Sequence, residues 1–101
     1  MSIDVDVDSA DIIAIYNYVL TFLRPPVELP IVQALEAAHA TAIAGLQPIV
    51  LRLSNADAQA LADWLIERAH EAETAPGSKG KHLAASFKRV AIPLYYKVHP
   101  A

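Results

Sequence analysis

Two Glu-x-x-His pairs, Glu36/His39 and Glu67/His70, are the residues of this chain whose types and spacing come nearest to a metal site. Residues three apart share one face of a helix. Two such pairs, with a carboxylate from each of two further helices, are how ferritin-like bundles hold two metal ions. The further carboxylates are missing. The segment before Glu36 that reads as a helix offers Asp11 at its very start, and the segment after Glu73 offers no acid at all. On a helical wheel Glu67 and His70 also fall opposite Leu61 and Leu65, toward water. We expect no metal centre and no cofactor.

His39 sits at helical spacing among Val32, Leu35 and Ile43. It is read as a buried polar site, a histidine with one satisfied hydrogen bond in the core or an interface. The alternative is a pH-sensitive contact, because burial moves an imidazole's titration. An enzyme or small-ligand pocket around His39 would require a concave site with more polar groups beside it.

Gly77-Ser-Lys-Gly-Lys-His82 opens a helix, where free backbone N–H groups and basic side chains could hold an anion. It is not a P-loop, since Ala75 stands where that motif needs glycine and His82 where it needs Ser or Thr. Lys79, Lys81, Lys88, Arg89 and Lys97, with Tyr95 and Tyr96 nearby, form a basic and aromatic cluster. Such clusters contact phosphates and stack on bases in nucleic-acid binders. They equally suit contact with an anionic protein partner. No Gly-x-Ser-x-Gly or comparable nucleophile setting occurs, and Ser9 and Ser54 are better read as helix caps. We expect no catalytic residues and a protein that is not an enzyme.

The elements that must position these residues begin with Ser9–Leu23. Wound as a helix, it aligns Ile12, Tyr16, Val19 and Leu23, with Ile13 and Leu20 on one side and Ile15 and Phe22 on the other. Ala10, Ala14, Asn17 and Thr21 remain for water. That is more apolar surface than a small chain readily covers, and Ile15, Tyr18 and Phe22 are the expected dimer interface. Before it, Ile3-Asp-Val-Asp-Val7 alternates like a strand with one wet face. Asp8 or Ser9 caps the helix, Asp11 complements its dipole, and Arg24-Pro25-Pro26 ends it.

Pro30 starts a second helix, with Ile31, Leu35, Ala38 and Ala42 as its stripe and Gly45 as its stop. Pro48–Leu53 reads as a second strand, and Ser54-Asn-Ala-Asp57 as a capping box with Asp in place of Glu. A third helix follows over about 56–73, burying Ala58, Leu61, Leu65 and Ala72 with Trp64 at the edge. Residues 74–80 read as a loop. A fourth helix over about 81–91 aligns Leu83, Phe87 and Val90. Pro93 is expected to stop it, and Leu94–Val98 to form a third strand.

The fold class expected is α+β, with four helices on one face of a small three-stranded sheet in the order β-α-α-β-α-α-β. The competitor is an all-α four-helix bundle with short extended segments. Residues 1–101 form a single domain. Val7–Leu20 lies over Leu53–Ile66, and Pro48–Leu53 over Pro93–Val98, which suggests a strand–helix–helix repeat over 3–47 and 48–92. The element order is similar to that of the barstar type of nuclease inhibitor. That family's characteristic helix motif is absent, so the likeness concerns fold order and carries over no residue.

Charge is divided along the chain. All eleven acids lie between Asp4 and Glu73, opposed there by Arg24, Arg52 and Arg68, for a net −8. The remainder has five bases and no acid, and the whole chain is at −3. Oppositely charged parts attract each other internally, or attract partners. Cysteine is absent, which excludes disulfides, thiolate catalysis and Cys-based zinc sites. The N-terminus does not read as a signal peptide, and no apolar run reaches the roughly 20 residues of a membrane span. We expect a small acidic cytoplasmic protein with no membrane contact. Its expected role is a non-catalytic protein–protein interaction module, homodimeric, and an inhibitor or antitoxin-like partner of another protein. The alternative is nucleic-acid or phosphate-ligand binding through residues 79–97.

Overall fold

The computed structural model describes residues 2–23, 29–74 and 78–99, and of residues 22, 23, 78 and 79 the backbone alone. The first alternating segment becomes β1 (Ser2–Asp6), with Ile3 and Val5 buried and Asp4 and Asp6 in water. It pairs antiparallel with β2 (Val50–Ser54), Ile3 opposite Leu53 and Val5 opposite Leu51. Val7 N donates to Ile49 O at 3.0 Å and extends the ribbon by one step. One face of this ribbon, from Ile3 to Leu53, enters the core. On the other, Asp4 and Arg52 are paired across the strands at 3.7 Å, an exposed contact of little energetic weight.

α1 (Ser9–Tyr18) buries Asp11, Ile12 and Ile15, and then loosens into a π-helical turn over Val19–Leu23. Asp8 occupies the N-cap with extended backbone, but its side chain makes no cap hydrogen bond. The expected side-chain cap is therefore not made there. The second start behaves as expected: Asp57 N donates to Ser54 Oγ at 3.1 Å, directly ahead of α3 (Asn55–Thr74). α2 (Pro30–Ile43) has Pro at its first position. It closes with Gly45 at φ +73°, where Gly45 N reaches Ala42 O and Leu46 N reaches Thr41 O. These two bonds form a Schellman motif, and the left-handed backbone explains the glycine. The expected end of the first helix at 24–26 lies outside the described residues.

The expected third strand is not there. α4 runs from Ser78 to Val98 with Pro93 inside it. A proline at this place removes the amide that would pair with the Arg89 carbonyl, a defect of about 3 kcal/mol in a helix interior. The apolar stripe outweighs it. Leu83, Phe87 and Val90 continue at helical spacing to Leu94 and Val98, and Phe87, Val90, Ala91 and Leu94 are essentially inaccessible. A strand would have turned Leu94, Tyr96 and Val98 to one side, whereas the helix buries Leu94 and leaves Tyr96 in water. The loop expected over 74–80 is also shorter. Thr74 belongs to α3 and residues 78–80 to α4, with 75–77 outside the described residues.

Among the described residues the architecture is α+β: four helices and a two-stranded antiparallel ribbon, sharing one apolar cluster with contributions from each of them. The order β-α-α-β-α-α stops one element short of the order that gave the likeness to the barstar type. The correspondence of Pro48–Leu53 with Pro93–Val98 fails for the same reason. α3 and α4 form the most extensive helix pair, and α4 also packs on α1 and β1.

Candidate functional site

α4 gathers most of the polar chemistry, and its two flanks make different contacts. Toward α1, Arg89 clasps Asp11 with a fork: Nε donates to Oδ2 at 2.9 Å and Nη2 to Oδ1 at 2.7 Å. Nη2 also donates to Ser86 Oγ at 3.2 Å. Asp11 is 3% exposed, in the first turn of α1 where the dipole favours an anion. Its carboxylate, through the hydrogen bonds and then its charge, raises the Arg89 guanidinium further above its ordinary value.

Toward α3, the contacts are in water. Lys88 Nζ donates to Glu73, Tyr95 Oη to Asp63, and His99 Nε2 to Gln59 Oε1. Gln59 Nε2 donates to Asp63 at 3.0 Å. The Tyr95 hydroxyl first, and Gln59 next, hold the Asp63 carboxyl below the usual range. Lys88 does the same for Glu73, and the bond to Asp63 pushes the Tyr95 phenol up. A phenol held protonated by a carboxylate is a positioning contact and a poor nucleophile.

The basic cluster read from the sequence is thus divided. Lys88 and Arg89 are engaged on carboxylates of the acidic part. Lys81 and Lys97 are exposed, and the Lys79 side chain lies outside the described residues. Lys97 lines an open groove with Ser2, Ile3, Asp4 and Asn55, so the groove's wall carries both signs of charge. Of the loop expected to hold an anion, Gly77 and the side chains of 78 and 79 also fall outside the description.

The dimer surface expected on the first helix needs correcting. Ile15 is 0% exposed within its own chain and has nothing to offer a second subunit. Tyr18 is half-buried in an aromatic cluster, edge-on to Phe87 at 5.2 Å and tilted against Trp64 at 6.1 Å. The Phe22 side chain lies outside the described residues. α4 packs on α1, with Arg89 on Asp11 and Phe87 against Tyr18.

His39 is half-buried, with its ring 4.5 Å from that of Tyr16. Burial, and then the Glu36 charge, raise the Tyr16 phenol. A groove of about 270 Å³ opens nearby, lined by apolar side chains from Val19 and Leu29 to Trp64, and His39 is not part of its wall. Glu36, Glu67 and His70 are exposed, and among the described residues no three His, Asp or Glu side chains converge as metal ligands. Among the described residues, too, no helix is long and apolar enough to cross a membrane.

Sequence reasoning missed the Asp11–Arg89 clasp, the Asp63–Tyr95 contact and the aromatic cluster. The one available signal was the complementary charge of the two parts of the chain. Comparison with protein families, curated proteins and solved structures finds no match to this chain.

Proposed function

We propose that this protein is a non-catalytic protein–protein interaction module that works as a homodimer. The observation that carries the reading is on α4. Ile92 and Tyr96, one turn apart, are 46% and 71% exposed on a helix whose inner face is closed. Adjacent aliphatic and aromatic groups held in water on a rigid helix are the usual anchors of protein interfaces. The acids on the wet face of β1, Asp4 and Asp6, suit an inhibitor or antitoxin-like role toward a basic protein. Sedimentation equilibrium tests the homodimer. A mass climbing from one chain toward two as concentration rises supports it, and a single-chain mass at every concentration up to about 300 µM overturns it.

Nucleic-acid or phosphate binding through 79–97 is the second reading, favoured by the exposed Tyr96 beside Lys97, with Lys81 on the same helix. It has lost the two bases committed to Glu73 and Asp11. Oligothymidine binding that weakens with salt and disappears in Lys81→Glu/Lys97→Glu would support it. No anisotropy change at low salt would dispose of it.

A further inference from the structure

We infer that the homodimer is built by two α4 helices packed antiparallel, each burying Tyr96 in a hollow beside Ala85 of the other; this rests on the homodimer reading above. The outward ridge of α4 runs Ala85, Arg89, Ile92, Tyr96, spaced four, three and four residues apart. That is the spacing of a seam between paired helices. The ridge is also complementary to itself. Ala85 and Tyr96 lie eleven residues apart, three turns or about 16 Å, and Arg89 and Ile92 lie between them. Both pairs share a midpoint between Val90 and Ala91. A two-fold axis through that midpoint sets Tyr96 against the small Ala85, and Ile92 against Arg89, of the other copy.

The small end of the seam is hollow. An open groove of about 410 Å³ is lined by Glu73, Lys81, Ala85 and Lys88. Ala85 forms an apolar wall for a ring, while the Glu73 carboxylate and Lys81 ammonium can take a phenolic hydroxyl. Tyrosine suits such a place, since its ring is apolar and its end is wet.

Charge permits a second copy here. Every charged residue of α4 is basic, so like-charge repulsion would ordinarily oppose self-pairing. Arg89 and Lys88, the two bases nearest the axis, are neutralised by Asp11 and Glu73 of their own chain. The Arg89 stem is then free to lie along Ile92. A single helix pair covers less than the roughly 800 Å² per partner of a standard interface. The dimer should be weak, with a dissociation constant on the order of 10–100 µM.

The chain has no native cysteine, so engineered disulfides report the register directly. Mixed Ala85→Cys and Tyr96→Cys chains should form an oxidised dimer that neither forms alone, because like positions are about 16 Å apart along the seam. Ala85→Trp, which fills the hollow, should weaken association at least tenfold while leaving the circular dichroism spectrum unchanged. A dimer that tolerates Ala85→Trp, or cysteines that link equally well alone, would overturn the α4 seam and leave the homodimer standing. A chain that stays monomeric overturns both. Binding of an oligo-glutamate peptide or oligothymidine to a monomer, lost in Tyr96→Ala, would assign the ridge to that ligand instead.

Discussion

The two flanks of α4 use the same kinds of groups and differ in where the acceptor sits. On the α1 flank the carboxylate of Asp11 is enclosed, and Arg89 reaches over it from a half-exposed position. On the α3 flank Glu73 and Asp63 are exposed, and Lys88, Tyr95 and Gln59, which meet them, are half-buried. An enclosed carboxylate depends on its partner, because water cannot replace it. An exposed one is solvated whether or not the partner is present. The α1 flank therefore fixes how α4 lies on α1, whereas the α3 flank mainly orients side chains on a pair already joined through Leu61, Leu65, Phe87 and Leu94.

The largest expected effect follows from stranding Asp11. A nearly buried carboxylate without its partner costs roughly 3 kcal/mol. Arg89→Met should accordingly be the most damaging polar change on either flank, read as a drop in thermal midpoint. Asp11→Leu/Arg89→Met should recover much of that loss, since it removes the charge that water cannot reach. If the double variant is as unstable as the single one, the enclosure of Asp11 is not what sets the flanks apart.

The next effect concerns the backbone of the same residue. Pro93 cannot donate to the Arg89 carbonyl, so Pro93→Ala should restore a helical bond and raise unfolding free energy by about 1–2 kcal/mol. The measurement is denaturant unfolding. A fall in stability would mean that Pro93 is held by contacts that a methyl group cannot replace.

Pro93 also marks where sequence reasoning gave out. Proline is a sound stop signal when nothing beyond it has a buried place to go, as Pro30 is a sound start. Here the stripe through Leu83, Phe87 and Val90 continued to Leu94 and Val98, and the burial it promised exceeded the cost of one lost bond. Elements governed by local chemistry were legible. Ser54 caps, Gly45 terminates, and the alternation of Ile3, Val5, Leu51 and Leu53 sets the inner face of the ribbon. Contacts between residues far apart in the chain were not. Asp11 and Arg89 meet across 78 positions, and no local periodicity encodes that pairing. The charge division predicted attraction between the two parts without saying which acid meets which base. Ile15 was misjudged for the same reason, because its cover comes from distant elements rather than its own helix.

Changes on the α3 flank should be small. Lys88→Ala and Tyr95→Phe each leave a carboxylate that water can solvate, and each should shift the thermal midpoint by no more than about 2 °C. A shift comparable to that of Arg89→Met would show that this flank, despite its exposure, locks the helix pair.

The smallest effect separates the flanks by pH. Asp63 and Glu73 titrate below their ordinary range in the folded chain, held there chiefly by Tyr95 and by Lys88. Their contribution is present above about pH 4, where both would be ionised in the unfolded chain as well. It is lost as pH falls further and the folded chain is forced to take up those protons. Asp63→Asn/Glu73→Gln should flatten that part of the acid limb of the thermal midpoint. Tyr95 works in the opposite sense, since its folded phenol is raised. Its contribution is complete below about pH 10 and fades as pH climbs through the folded value. Tyr95→Phe should remove that alkaline component while leaving the Glu73 part of the acid limb in place. An acid limb unchanged by the double variant would show that the exposed flank carries no pH-dependent stability, and that the carboxylates elsewhere in the chain set the acid response.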